Sequence, residues 1–185
     1  MIKTKKKVFA NVSFTVLLLV LINTSVFAAY PSKATMDNTW GFEKGDSTEK
    51  QLIYHQHGDL DWKGHVDFAM NEININPADI SCYYGTSEDL ANIVVTSNYW
   101  PDATWSGSTY APIDLEPKTI ELNSSAELTD WQRDAVTTHE FVHIWGINDS
   151  RNKNSISYGF TPVNYRTITD DVTTLLKNRY NEEVK

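Results

Sequence analysis

The sequence predicts a single α/β domain, α+β in arrangement, with a mixed sheet backed by helices. Three observations carry this. Short β-rich runs punctuated by turn residues recur through 51–123. An apolar repeat at helical spacing interrupts them between 62 and 76. Two further helices with clear starts follow, one from Thr129 and one from near Thr167 or Thr169. A chain of 185 residues can bury one sizeable core. No internal repeat, low-complexity tract or linker divides it.

Residues 1–28 stand apart. Lys3, Lys5, Lys6 and Lys7 form a basic head, and an apolar run from Val12 to Ile22 is broken only by Ser13 and Thr15. Asn23-Thr24-Ser25 and then Val26-Phe27-Ala28-Ala29 follow. A short apolar run with small residues behind it reads as a secretory signal peptide cleaved after Ala28. The alternative is an uncleaved anchor, for which the run is short. Four of the sixteen basic residues belong to this leader, against twenty-four acidic residues all beyond it, so the mature chain carries a charge of about −12 with His neutral. That balance argues against nucleic acid and anionic membrane as partners. The single cysteine, Cys82, excludes an internal disulfide. A lone thiol in an exported chain points to an extracellular protein from a bacterial exporter. Set in the strand-like Ser81–Tyr84, it reads as a core thiol.

The remaining elements follow in order. Residues 29–50, with Pro31, Gly41 and Gly45, read as an irregular, partly disordered lead-in; residues 51–185 form the domain. Gln51–His57 alternates as a first strand. Asp61 is placed to cap a helix from about Trp62, with Val66, Ala69, Met70 and Ile73 on its buried face and Pro77 ending the pattern. Asp79–Tyr84 and Ala91–Tyr99 are the next strands. Residues 101–117 are loop-rich, with Ser108–Ala111 extended, and Thr119–Asn123 is a short strand. Thr129-x-x-Gln132 is a capping box that opens a long helix ending at Gly146. Residues 147–168 are loop. The last helix has Asp170 and Asp171 in its first turn and Val172, Leu175 and Leu176 as its buried stripe.

The long helix holds His139-Glu140-Phe141-Val142-His143. Residues four apart share a helical face, so the two imidazoles can grip one metal ion. Glu140 then lies beside the metal, placed to take a proton from activated water. Gly146 can turn the chain and return Asp149 as a third ligand. Two imidazoles and a carboxylate make a three-ligand zinc site with one position open for water. The bland alternatives are a helix with two incidental histidines and a solvated loop aspartate.

The extended motif, H-E-F-V-H-I-W-G-I-N-D over 139–149, resembles that of the metzincin metallopeptidases, H-E-x-x-H-x-x-G-x-x-H, and among them the matrixins most closely. His139, Glu140, His143 and Gly146 match. Asp149 stands at the third histidine, as is characteristic of the small bacterial snapalysin-type metzincins. Asn154–Tyr158 resembles the family's Met-turn, with Ser157 where the methionine is expected. Thr169–Val172 resembles the start of the matrixin C-terminal helix.

The resemblance implies a twisted mixed sheet with a long active-site helix and a small C-terminal helical subdomain. It also implies a secreted zinc endopeptidase with His139, His143 and Asp149 as ligands and Glu140 as general base. A polypeptide substrate would pair with the edge of residues 104–111, walled after the scissile bond by Tyr158, Phe160, Pro162 and Tyr165. Cys82 lies inside the domain, so latency through a zinc-bound cysteine is not supported. A monomer is expected. Two other readings stay open: a secreted metal-binding protein that keeps the fold without proteolysis, and a non-haem iron site. His55, His57, Asp59, Asp61 and His65 cluster before the first helix; a second, structural metal there is set against a default of polar loop residues.

Overall fold

Four parallel strands and one antiparallel edge strand make a single five-stranded sheet. A computed structural model describes residues 30–43, 51–58, 60–114, 117–160 and 162–181. The expected leader, and residues 44–50 of the lead-in, lie outside the described residues. The elements are β1 (Gln51–Gly58), α1 (Lys63–Ile75), β2 (Cys82–Tyr84), β3 (Ile93–Asn98), β4 (Gly107–Tyr110), β5 (Lys118–Asn123), α2 (Asp130–Ile144) and α3 (Asp170–Tyr180). Strand order across the sheet is β2-β1-β3-β5-β4. The central strands β3 and β5 bury Ile93, Val95, Ile120 and Leu122 completely, while Glu121 of β5 stays exposed. β4 pairs antiparallel with β5, Gly107 opposite Leu122 and Tyr110 opposite Thr119. Among the described residues, no strand pairs with its other edge.

The helices pack on each other and on the sheet, α1 against α2 and β2, α2 against β4 and β5. α1 buries Val66, Ala69, Met70 and Ile73, the stripe its periodicity predicts. Its start differs from expectation. A 3-10 turn, Leu60–Trp62, leads into it, Trp62 is the N-cap, and no side chain caps the helix. Asp61 therefore sits within that turn. Trp62, fully buried, anchors the entry by packing where a polar cap would leave the core uncovered. α2 starts as the sequence dictates: the Thr129 side chain accepts from the Gln132 amide, and the Gln132 side chain accepts from the Thr129 amide. It ends at Trp145, followed by Gly146 at φ +86°, a conformation open chiefly to glycine.

The lead-in is more ordered than its composition suggests. Met36 bridges to Ile147 and Trp40 to Pro112. Gly41, at φ +85°, lies so close to Gly146 that a Cβ there would stand 2.6 Å from the Gly146 nitrogen. Arg179 of α3 donates to the carbonyls of Asp37 and Phe42, both at 2.8 Å, and the Tyr180 hydroxyl donates toward Trp145 O at 3.0 Å. The C-terminal helix thus ties the lead-in to the end of α2. Cys82 is buried, and burial pushes its thiol up to about 12, as expected of a core thiol. Among the described residues, no helix is long and apolar enough to cross a membrane.

Candidate metal centre

His139 and His143 are one turn apart on α2, and both are more than nine-tenths buried. Their Nδ1 atoms face backbone carbonyls: His139 Nδ1 lies 2.7 Å from Ile156 O, and His143 Nδ1 faces Ile147 O. A carbonyl only accepts, so each Nδ1 carries the proton. Each Nε2 then presents a lone pair. The two Nε2 atoms are 3.0 Å apart, and Asp149 Oδ1 stands 3.2 Å from one and 3.5 Å from the other. Asp149 Oδ1 is itself buried without a well-directed hydrogen bond. With both imidazoles neutral, three acceptor atoms converge here with no donor among them; in the metal-free site a proton on His139, directed at Asp149, fills that role. Such a set is unfavourable alone and suits a cation, and the three residues form a group able to hold a metal ion. The outer carbonyls supply the orienting contacts that metal-bound histidines require.

The electrostatics point the same way. Burial works against a charge on His139, yet the Asp149 hydrogen bond and the charges of Glu140 and Asp149 outweigh it. Together with the Ile156 carbonyl they hold its pKa up to about 9. Burial would likewise raise Asp149, but the hydrogen bonds and charges of His139 and His143 hold it well below the usual carboxylate range. The pocket is built around positive charge.

Glu140 points to the sheet side of the cleft. Its Oε2 accepts from the Thr109 hydroxyl at 2.7 Å, and the same hydroxyl lies 3.0 Å from the Glu140 carbonyl. Gly107 makes room for it: a Cβ there would stand 2.7 Å from Glu140 Cγ and 2.9 Å from Val136 Cγ1. Residues 104–109 of the edge segment line a cleft of about 640 Å³ together with Glu140, both histidines and Asp149. Within the segment 104–111, Gly107–Tyr110 forms the edge strand β4, beside the motif.

The far wall partly differs from expectation. Tyr158 and Phe160 line the cleft, but Pro162 and Tyr165 do not. Tyr165 lines a separate depression near the start of α3. The wall is completed instead by Tyr30, Pro31 and Trp40 of the lead-in, which carry no motif or periodicity that would announce them. Tyr30 is close to Asp149: that charge, partial burial and its hydrogen bond to the carboxylate all raise the phenol's pKa.

Beneath the histidines, the turn over 154–158 has serine where methionine is expected. Ser157 is fully buried, as are Ser150 and Ser155. Ser157 Oγ lies 3.0 Å from Ser155 Oγ and donates to Ser150 Oγ at 3.2 Å. Ser150 N donates to Ser157 O at 2.8 Å. Ile156 N donates to Thr169 Oγ1 at the start of α3. A hydrogen-bonded serine cluster thus forms the floor and aims the Ile156 carbonyl at His139.

Of the second cluster, the side chains of His55 and His57, and Asp59 entirely, lie outside the described residues. His65 lies 2.7 Å from Asp134, which also pairs with Arg166 at 3.2 Å. Among the described residues, His139, His143 and Asp149 are the only group of three or more such side chains able to hold a metal ion.

The fold has counterparts among solved structures. The structure of myroilysin matches with a TM-score of 0.54 at 13% identity, covering 82% of this chain and 100% of that one. At that identity the likeness speaks for the fold alone, a mixed α/β architecture. No family profile matches the chain, and no curated protein does.

Proposed function

We propose that this protein is a secreted zinc-dependent endopeptidase, with His139, His143 and Asp149 as metal ligands and Glu140 as general base. One observation carries the reading. Two outward-facing imidazole lone pairs and a carboxylate oxygen converge beside a buried glutamate, in a cleft bordered by an open strand edge.

A bound zinc ion would supply the Lewis acidity that acidifies water and polarises the scissile carbonyl. Glu140 takes the proton of the attacking water and delivers it to the leaving amine. Thr109 holds its carboxylate on the cleft wall. An extended polypeptide lies along β4, using the amide and carbonyl groups left free on that edge, with side chains against Tyr158 and Phe160. No covalent intermediate on the protein is required.

Glu140→Gln tests the division of labour. It should keep stoichiometric zinc and lose peptide cleavage; full residual activity would sink the assignment. Asp149→Ala should weaken zinc binding, and unchanged affinity would remove Asp149 from the ligand set. A metal-binding protein without proteolytic activity is the second reading, favoured by Ser157 in the floor. Casein cleavage by the wild type, with and without chelator, separates the two.

A further inference from the structure

The residues just past β4 are already paired. Gly41 N donates to Ala111 O at 2.7 Å and Ile113 N to Thr39 O at 3.1 Å, around the antiparallel bridge of Trp40 with Pro112. Parity places these bonds on the side of the strand away from β5. Ser106 O accepts from Asn123 N of β5 at 2.9 Å, and alternate residues of an antiparallel strand turn their main-chain groups the same way. Ser106, Ser108 and Tyr110 therefore face β5, while Gly107, Thr109, Ala111 and Ile113 face the opposite edge. On that edge the lead-in takes Ala111 and Ile113. It leaves Gly107 and Thr109, the two residues that lie against Glu140.

The lead-in is held there as a strap. Asp37 N donates to Gly146 O at 2.8 Å, and Asn148 N donates to Thr35 O at 2.9 Å. Gly41, at φ +85°, turns the chain off the edge and onto Gly146. The Trp40 ring meets the Tyr110 ring edge-on, centroids 6.3 Å apart, and lines the same cleft as Glu140. At the other end of β4, Thr104, Trp105 and Ser106 line the cleft, and among the described residues no strand pairs beside them.

Resting on the peptidase reading above, we propose that the strap is an edge stop that makes substrate recognition one-sided. Trp40 and Gly41 end the peptide-receiving edge just past Thr109. The step from Thr109 to Ala111 spans about 7 Å. A bound peptide therefore keeps its main-chain pairing for about two residues from the cut on the strap side, and then must turn off the edge. On the other side it continues past Trp105. The substrate class is an extended polypeptide gripped through residues on one side of the scissile bond, and Trp40 sets the limit on the other.

Synthetic peptides that share one cleavable core, lengthened one residue at a time on either side of the cut, test this on the zinc-loaded protein. For the wild type, kcat/KM should rise about threefold or more for every two residues added on one side, as a main-chain hydrogen bond kept in the transition state gives. On the other side the gain should stop at about the second residue. Trp40→Ala takes away the ring that packs the strap against Tyr110 and leaves two main-chain bonds that an incoming peptide can displace. Its ratio of kcat/KM for long over short peptides on the flat side should rise to match the other side. Trp40→Leu, which keeps an apolar side chain against the core, serves where the larger truncation impairs folding. Equal gains on both sides in the wild type would overturn the proposal. So would an unchanged flat side in a Trp40 variant with wild-type melting temperature and zinc content. Either result leaves the peptidase reading standing. A zinc-loaded wild type that cuts no member of the series would overturn that reading and this proposal with it.

Discussion

The Thr109 hydroxyl has one proton and two acceptors on Glu140, the side-chain Oε2 and the main-chain carbonyl. Bonding Oε2 is the arrangement that matters for the proposed chemistry, because it holds the carboxylate against β4. Thr109→Val should lower kcat by about tenfold or more, as expected for losing a hydrogen bond to a charged group worth roughly 1.5 kcal/mol. Zinc content should be unchanged, and Thr109→Ser should restore most of the rate. Steady-state kinetics beside metal analysis checks this. A second residue-scale expectation concerns His139. Because Asp149 and Glu140 hold its pKa up to about 9, the metal-free site is protonated through neutral pH, and a metal must displace that proton. Apparent zinc affinity should therefore rise with pH, by up to about tenfold per unit, and level off near pH 9. Chelator competition from pH 6 to 10 reads the slope directly. The sequence names His139, Glu140 and His143 because their spacing is local to one helix. It does not name Thr109, whose contact with Glu140 spans thirty-one residues and exists only once β4 lies beside α2.

At the level of elements, α2 is legible almost in full. Its capping box and its glycine stop are written in adjacent residues, and the structure reproduces both. The glycine has a wider task than ending a helix. A Cβ on Gly146 would run into Arg179 Nη1 and stand 2.7 Å from Trp40 O, so the lead-in and α3 both close on it. Gly146→Ala should lose about 1–2 kcal/mol from the left-handed backbone alone, plus the cost of separating those contacts. Urea unfolding of the metal-free protein should show a stability loss at or above that range. The strap itself is illegible in the sequence. It has no periodic pattern, and its order comes from backbone pairing with residues more than a hundred positions later, as Thr35 with Asn148. α1 starts where its spacing places it, and only its cap departs from expectation. Asp61 has the chemistry of a cap, but burial of Trp62 sets where the helix begins.

For the whole molecule, one core runs from the lead-in through the sheet to α3. Phe42, Trp62, Trp145, Ile156, Val172 and Tyr180 all belong to it. The α/β class follows from composition and spacing, since strand and helix periods are readable segment by segment. Strand order does not follow, because pairing across the sheet is non-local: β4 reaches the outer edge by folding back on β5, its sequence successor. Cys82 offers a global reporter. Buried at the end of β1's neighbour strand, with its thiol pushed up to about 12, it should resist thiol-specific reagents in the native state at pH 8 and react fully in denaturant. Labelling followed by mass spectrometry along a urea series should trace the same midpoint as circular dichroism. Substantial labelling before that midpoint would mean that β2 opens independently of the core.

The open edge of β4 has a cost outside catalysis. A strand edge left unpaired among the described residues, which under the proposed function would receive a peptide, can equally receive the corresponding strand of another copy, which is how sheets extend between molecules and precipitate. This edge is only four residues long and begins with glycine, and the chain carries a net charge of −8; each of these limits that route. The same four residues therefore set both the chain's capacity to hold an extended partner and its colloidal behaviour when concentrated. An edge-binding peptide should keep the protein dispersed at concentrations where it would otherwise self-associate.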